Sequence, residues 1–167
     1  MLFKSQNFIV SEISEKNEMD IKKAVRIYNS NIAFLKSHLN VESVTEDWIA
    51  EEFKSMQEAG FLSCKIIDLH SDEVVGLMDF KISEETYLSL IMIDGAKRSK
   101  GVGSEIIGCF EQYARSKGGN RVRIDVATNY DDTSLKFWEN IGFIVHDEIE
   151  LSWSGREIPA VKMVKGL

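Results

Sequence analysis

Arg98-Ser99-Lys100-Gly101-Val102-Gly103 joins an apolar run, Tyr87 to Ile93, to an amphipathic run that begins at Gly101. Val102, Ile106, Phe110 and Tyr113 recur at spacings of three and four, which predicts a helix from about Gly101 to Ser116, ended by Gly118-Gly119. The loop is thus expected between a strand and a helix N-terminus. Such a terminus carries unpaired N–H groups and a partial positive charge. Glycines at 101 and 103 remove the side chains that would keep an anion away from the backbone, and Arg98 and Lys100 add charge. Those features together describe a phosphate or pyrophosphate site. The segment lacks the Gly-Lys-Ser/Thr ending of a P-loop. It has Ile106 where the dinucleotide fingerprint needs a third glycine.

Working outward, Val74 to Ile82 and Phe61 to Leu69 read as strands of a meander, and Tyr87 to Ile93 as its third strand, apolar enough to be covered on both faces. Upstream, Phe8-Ile9-Val10 reads as a short strand. Ile21, Ala24, Val25, Tyr28, Ile32 and Leu35 read as one helical face, and Trp48, Ile49, Phe53 and Met56 as a second, over about Thr45 to Ala59. Ser43 with Glu46, or Thr45, is expected to cap the second helix. Downstream, Arg121 to Ala127 alternates as a strand, a short helix covers about Asp132 to Asn140, and Phe143 to Trp153 and Ile158 to Val164 close an antiparallel pair. This order predicts a mixed α/β domain over residues 8–167: a mostly antiparallel twisted sheet of about seven strands with helices on both faces.

The 167 residues carry a net charge of −7 and two cysteines. The acidity argues against a general nucleic-acid binder, which needs cationic surface, and favours the approach of amines, cations at neutral pH. Cys64 and Cys109 sit in apolar runs, fit a reducing compartment and read as core residues rather than nucleophiles. No apolar stretch nears the roughly 18 to 20 residues of a membrane span, so a cytoplasmic location with no membrane partner is expected. His38, His70 and His146 show no metal-ligand spacing, and no metal is expected. Asp131-Asp132 read as a helix cap, and Glu46-Asp47 with Glu51-Glu52 as a solvated helix face.

A second motif lies downstream: Ser134-Leu135-Lys136-Phe137-Trp138-Glu139-Asn140-Ile141-Gly142-Phe143, preceded by Asn129. It resembles the A-x-x-L-Y-E-K-x-G-F segment of the GNAT acyltransferases, while Arg98 to Gly103 resembles that family's Arg/Gln-x-x-Gly-x-Gly/Ala loop. Leu88 to Asp94 resembles its coenzyme-binding strand, and the element order resembles its fold from end to end. The resemblance implies an enzyme that moves an acetyl or other acyl group from acetyl-CoA, as cosubstrate, to a primary amine. It implies a coenzyme wedge where the strand of Val74 to Ile82 splays from that of Tyr87 to Ile93. Backbone groups of Ile91, Met92 and Ile93 would pair with the pantetheine arm. Those of Ser99, Lys100, Gly101, Val102, Gly103 and Ser104 would hold the pyrophosphate beside Arg98. Asn129 and Ser134 would touch the far side of the coenzyme, and Phe137 and Trp138 would pack near its pantetheine or thiol. The two first helices would flank the acceptor, with the loop of about Ser37 to Val44 affecting specificity.

The chain departs from the family pattern at Trp138, which occupies the place of an acidic tyrosine; an indole N–H donates a hydrogen bond but does not serve as a proton donor. Tyr130 is the nearby substitute. Asp79, a carboxylate in an apolar strand, is the first candidate for the base, with a solvent-facing position as the alternative. A catalytically weak acyl-CoA sensor and an interaction module stand as rival readings, and the strand at Ile158 to Val164 offers an edge for a homodimer.

Overall fold

The computed structural model describes residues 1–129 and 132–167, leaving aside the side chain of Asp132. Eight strands form one sheet in the order β1-β2-β3-β4-β5-β6-β8-β7. They are β1 (Phe3–Lys4), β2 (Phe8–Glu12), β3 (Leu62–Asp68), β4 (Val74–Lys81), β5 (Glu85–Ile93), β6 (Arg121–Ala127), β7 (Ile144–Trp153) and β8 (Arg156–Gly166). Every pairing is antiparallel except β5 with β6. The mixed α/β architecture expected from the element order is therefore present, with one strand more than about seven. The additional strand, β1, is two residues long and too short to show a period. Phe3 anchors it by stacking on Tyr113, ring centres 5.1 Å apart.

Helices cover both faces. Alternation along β4, and along β5 with its faces exchanged by an extra residue at Ser89, sends Leu77, Leu90 and Met92 towards α1 (Glu18–Asn29) and α3 (Glu46–Glu58), where they meet Ile27, Tyr28, Ile49 and Phe53. Met78, Phe80 and Leu88 point the other way, onto Ile106 and Phe110 of α4 (Val102–Ser116) and Trp138 of α5 (Asp132–Asn140). Thr45, not Ser43, caps α3, its side chain accepting from the Trp48 N–H.

The first helical face is not continuous. α1 ends at Asn29, and a short α2 (Ile32–Phe34) runs into a π-helical turn at Leu35–Leu39. Ser30 Oγ and Asn31 Nδ2 both donate to the Ile27 carbonyl, at 2.7 and 2.8 Å, so side chains compete with the helical ladder at this point. The break swings Ile32 outward, leaving it 53% exposed instead of in the stripe expected for it.

The decisive feature for the site is where the sheet opens. β4 and β5 stay paired from Gly76↔Ile93 to Lys81↔Tyr87, so the wedge expected between those strands does not exist. β5 and β6 pair only over Glu85–Tyr87 with Arg121–Arg123 and then part. The physical reason lies in β5. Asp79 faces Leu90 while Phe80 faces Leu88, so Ser89 is an extra residue in the strand. Such a bulge bends and twists the strand that carries it. β6 meanwhile follows β8 along its whole length. β5 and β6 therefore diverge, and the gap opens one strand further on than the sequence suggested. β7 pairs with the other side of β8, so the segment Ile158 to Val164 is an inner strand and not the edge expected for a homodimer.

Candidate functional site

A cleft of about 820 Å³ occupies that gap. One wall is β5 from Tyr87 to Ile93; the other is Ile124 to Ala127 of β6. At one end it reaches the α4 N-terminus, and at the other the α2 and π-turn segment with Trp153.

The α4 end is built by local backbone geometry. Ser99 and Gly101 adopt positive φ values of 59° and 80°. Gly101 is the N-cap, and no side chain caps the helix. The first bond back into the loop is from the Glu105 N–H to the Gly101 carbonyl, so the N–H groups of Val102, Gly103 and Ser104 precede the intrahelical ladder. All three residues line the cleft, as do Arg98 and Ser99; Lys100 sits in the same loop, exposed, and is not part of the lining. A Cβ on Gly103 would stand 3.3 Å from the Phe137 ring, so glycine lets α4 lie close to α5 without displacing that ring.

A polar staple holds this loop against α1. Asp94, at the end of β5, is paired with Arg26 and also accepts from the Ala96 N–H at 3.0 Å. Asn31 donates to the Ile93 carbonyl at 3.1 Å and accepts from Arg98. The Gly95 N–H donates to Ser30 Oγ at 2.9 Å, and a Cβ on Gly95 would lie 2.5 Å from the Ser30 carbonyl oxygen. Arg98 is thus held by a residue of the helical layer, a partner that the loop motif does not foretell.

At the crotch, where β5 and β6 separate, the Tyr87 hydroxyl donates to Asp125 at 2.9 Å, and Arg123 donates to both oxygens of the same carboxylate. Arg123 also lies 4.9 Å from the centre of the Tyr87 ring. Burial and the Asp125 charge push the Tyr87 phenol up, keeping it protonated. Asp125 lines the cleft but is already fully engaged.

The far end is aromatic. Phe34 and His38 stack with ring centres 4.1 Å apart and planes 17° apart. Trp153 stands nearly perpendicular to both, 5.4 Å from Phe34 and 5.7 Å from His38. Burial is the main cause that pushes His38 down to about 4, with Arg156 contributing, so its ring is neutral at pH 7. Glu52 and Met56 of α3 complete this end. Burial raises the Glu52 carboxyl above its usual range.

Glu52 corrects the reading of Glu51-Glu52 as a solvated face: Glu51 is exposed, but Glu52 is half-buried and lines the cleft. The spacing held the signal, because Glu52 falls at the three-and-four interval between Ile49 and Met56, on the apolar stripe of α3.

The predicted site residues fall into three sets. Ile91, Met92, Ile93, Arg98, Ser99, Gly101, Val102, Gly103, Ser104, Ser134, Phe137 and Trp138 all line the cleft. Trp138 is also packed edge-on to Phe137 and Phe143, at 5.0 and 5.1 Å. Asn129 is exposed and, with Lys100, outside the lining. Asp79 is buried rather than solvent-facing, but it sits behind the cleft wall and does not line it. It shares its layer with Tyr28 and Glu52, whose electrostatic influence it feels or exerts. Burial pushes Asp79 up to about 7; the neighbouring Ser63 opposes part of that rise, although its Oγ has no well-formed hydrogen bond. Tyr130 lies outside the described residues. Among the described residues no group of three acidic, histidine or cysteine side chains is arranged to hold a metal, and no helix is long and apolar enough to cross a membrane.

Comparison with known proteins converges on one family. The fold resembles the acetyltransferase from Salmonella typhimurium that modifies the N-terminal serine of ribosomal protein L7/L12, with a TM-score of 0.77 at 14% identity over 98% of this chain and 96% of that one. It resembles a Vibrio cholerae spermidine N-acetyltransferase chimera with a TM-score of 0.74 at 14% identity, covering 96% of each chain. A ribosomal L7/L12 α-N-protein acetyltransferase in complex with coenzyme A gives a TM-score of 0.74 at 14% identity, over 98% of this chain and 96% of that one. No curated protein sequence matches significantly. The model of the acetyltransferase (GNAT) family matches residues 26–143, a span that begins in α1, includes the glycine loop and both walls of the opened sheet, and ends just beyond α5. The motifs, the opened sheet and this match agree: the chain belongs to the GNAT family of acetyltransferases.

Proposed function

We propose that the chain acts as an N-acetyltransferase, moving the acetyl group of acetyl-CoA to a primary amine on a small molecule or peptide, through one domain over residues 8–167. The observation that carries this reading is the polarity of one continuous cleft. Open helix N–H groups and Arg98 stand at one end, an unpaired strand edge runs through the middle, and a carboxylate among rings closes the other. Enzymes of this family use acetyl-CoA. The open N-terminus of α4 and the side-chain-free surface of Gly101, where an added Cβ would meet nothing within 4 Å, suit a pyrophosphate. The β5 edge over Ile91–Ile93 suits an extended pantetheine arm, as it would an added strand. Phe137 and Trp138 would pack near the arm or its thiol, Asn129 and Ser134 would touch the far side of the coenzyme, and Lys100 would stand with the pyrophosphate loop.

Chemically, the amine nitrogen bonds to the thioester carbonyl carbon, the carbon–sulfur bond breaks, and the thiolate departs with the bonding pair. The amine must lose a proton and the thiolate gain one. Asp79, held near 7 by burial, is suited to keep the first proton. Since it stands behind the wall, the proton reaches it by way of Glu52 or a water. Tyr130 is assigned the second proton, because the indole at position 138 does not release one. That same indole supports a second reading, an acyl-CoA binder with weak catalysis.

The test is a thermal shift with acetyl-CoA on the native protein and on Gly103→Trp, whose indole would displace Phe137 and fill the loop end of the cleft. A ligand that binds the folded state raises Tm. A rise in the native protein that the variant loses, with amine-dependent thiol release, supports the transferase. A rise without thiol release for any amine supports the second reading, and no rise at millimolar ligand refutes both.

A further inference from the structure

The charges that line the cleft are segregated. Lys97 and Arg98 belong to the α4 end, and no lysine or arginine is among the described residues lining the aromatic end. Of the two described carboxylates that line the cleft, Asp125 is taken by Arg123 and Tyr87. Glu52 has no ion-pair partner among the described residues. One available negative charge therefore lines the same cleft as the ring stack and the indole, and it acts on Tyr28, whose ring centre is 6.1 Å from that of Phe34.

Each feature narrows the acceptor, given the transferase reading above. A single carboxylate beside ring faces attracts one ammonium. A polyamine would need further carboxylates along its length, and among the described residues the lining adds the engaged Asp125 alone. An amino acid would bring its own carboxylate to an end whose described lining has Glu52 and no lysine or arginine; Arg156, whose charge His38 feels, donates instead to the Lys36 carbonyl at 3.4 Å. Phe34 and Trp153 pack edge to face at 80°, and both line the cleft, so their outer surfaces offer a flat ring offset and edge contacts that an alkyl chain does not make.

We propose that the acceptor is a primary monoamine with an aromatic body, seated against the cleft-facing surfaces of Phe34 and Trp153 with its ammonium on Glu52. On transfer the ammonium proton passes to the Glu52 carboxylate and the freed amine attacks the thioester carbon.

The test compares phenethylamine and tryptamine with hexylamine, spermidine and phenylalanine, following thiol release at saturating acetyl-CoA. The two aryl amines are expected to exceed each of the others by about tenfold or more in kcat/KM, the scale of one aromatic contact with a partly desolvated cation. Glu52→Gln is expected to raise KM for phenethylamine about tenfold while the KM of acetyl-CoA stays within about twofold; Phe34→Leu is expected to erase the aryl preference by raising the phenethylamine KM more than that of hexylamine. Retained stabilisation by acetyl-CoA shows that both variants fold. Equal or better use of spermidine, hexylamine or phenylalanine overturns the proposal, as does an unchanged phenethylamine KM in Glu52→Gln. Calorimetric binding of the amines to the native protein separates this inference from the transferase reading. If no thiol is released, tighter binding of phenethylamine than of hexylamine, weakened in Glu52→Gln, still supports the acceptor site, and equal binding overturns it.

Discussion

The effect of replacing Asp79 with asparagine should change strongly across a narrow pH range. The carboxyl is 3% exposed on β4, and burial moves it from an ordinary 3.8 to about 7. The folded protein therefore holds a proton that the unfolded chain has released, and stability falls as pH climbs between those values. The contribution is whole below pH 3.8 and lost once pH has risen through about 7. At 1.36 kcal/mol per pH unit the full interval is worth about 4 kcal/mol, of which about 3 kcal/mol falls between pH 5 and pH 8. Asparagine fills nearly the same space and has no charge to develop. Urea unfolding of both proteins at pH 5 and pH 8 isolates the effect, because His38, Glu52 and every other titrating group is common to the pair. The stability of Asp79→Asn relative to wild type should rise by about 3 kcal/mol from pH 5 to pH 8. Curves that run parallel across that range would refute the argument, and would mean that Asp79 ionises freely behind the cleft wall.

Other outcomes follow from close approaches. Gly95→Ala forces a Cβ to within 2.5 Å of the Ser30 carbonyl oxygen, and should cost about 1–3 kcal/mol in urea unfolding; Gly108→Ala, where nothing lies within 4 Å, should instead gain about 1 kcal/mol from helix propensity. Phe110→Ala removes a fully buried ring that packs 5.0 Å from Phe80, and should cost about 3–5 kcal/mol by the same measurement. In a thiol titration of the folded protein Cys109 should react, while Cys64, 1% exposed and with its thiol pushed up by burial and nearby carboxylates, should react only after unfolding.

Local features were legible in the sequence; features set by distant pairing were not. The glycine loop could be read because its chemistry is contained in six consecutive residues that open a helix. The break after Asn29 was hidden, since a hydrophobic period runs across it and only the Ser30 and Asn31 side chains end the ladder. The position of the gap was hidden for a different reason. β4 and β5 are consecutive and β5 and β6 are joined by the long α4 crossover, yet nothing local to either pair says which will separate. That depends on the Ser89 bulge and on the hold of β8 over β6, both contacts between segments far apart in the chain. Glu52 was overlooked because a run of acidic residues draws attention to its charge, when its place on the apolar stripe was the informative fact.

The parting of β5 from β6 also bears on how the chain stays dispersed. Unpaired strand edges are templates on which other chains add, and outer strands are commonly shortened or charged to prevent it. This molecule keeps two such edges in the middle of its sheet. They face one another across the cleft, between the α4 N-terminus, Phe137 and Trp138 on one side and the Phe34 and His38 rings on the other. A slender linear molecule can thread such a slot, whereas a strand of another protein would have to bring its side chains and its own flanking helices into the same space. Self-association along these edges is thereby discouraged by geometry, without placing charge on the strands that do the binding.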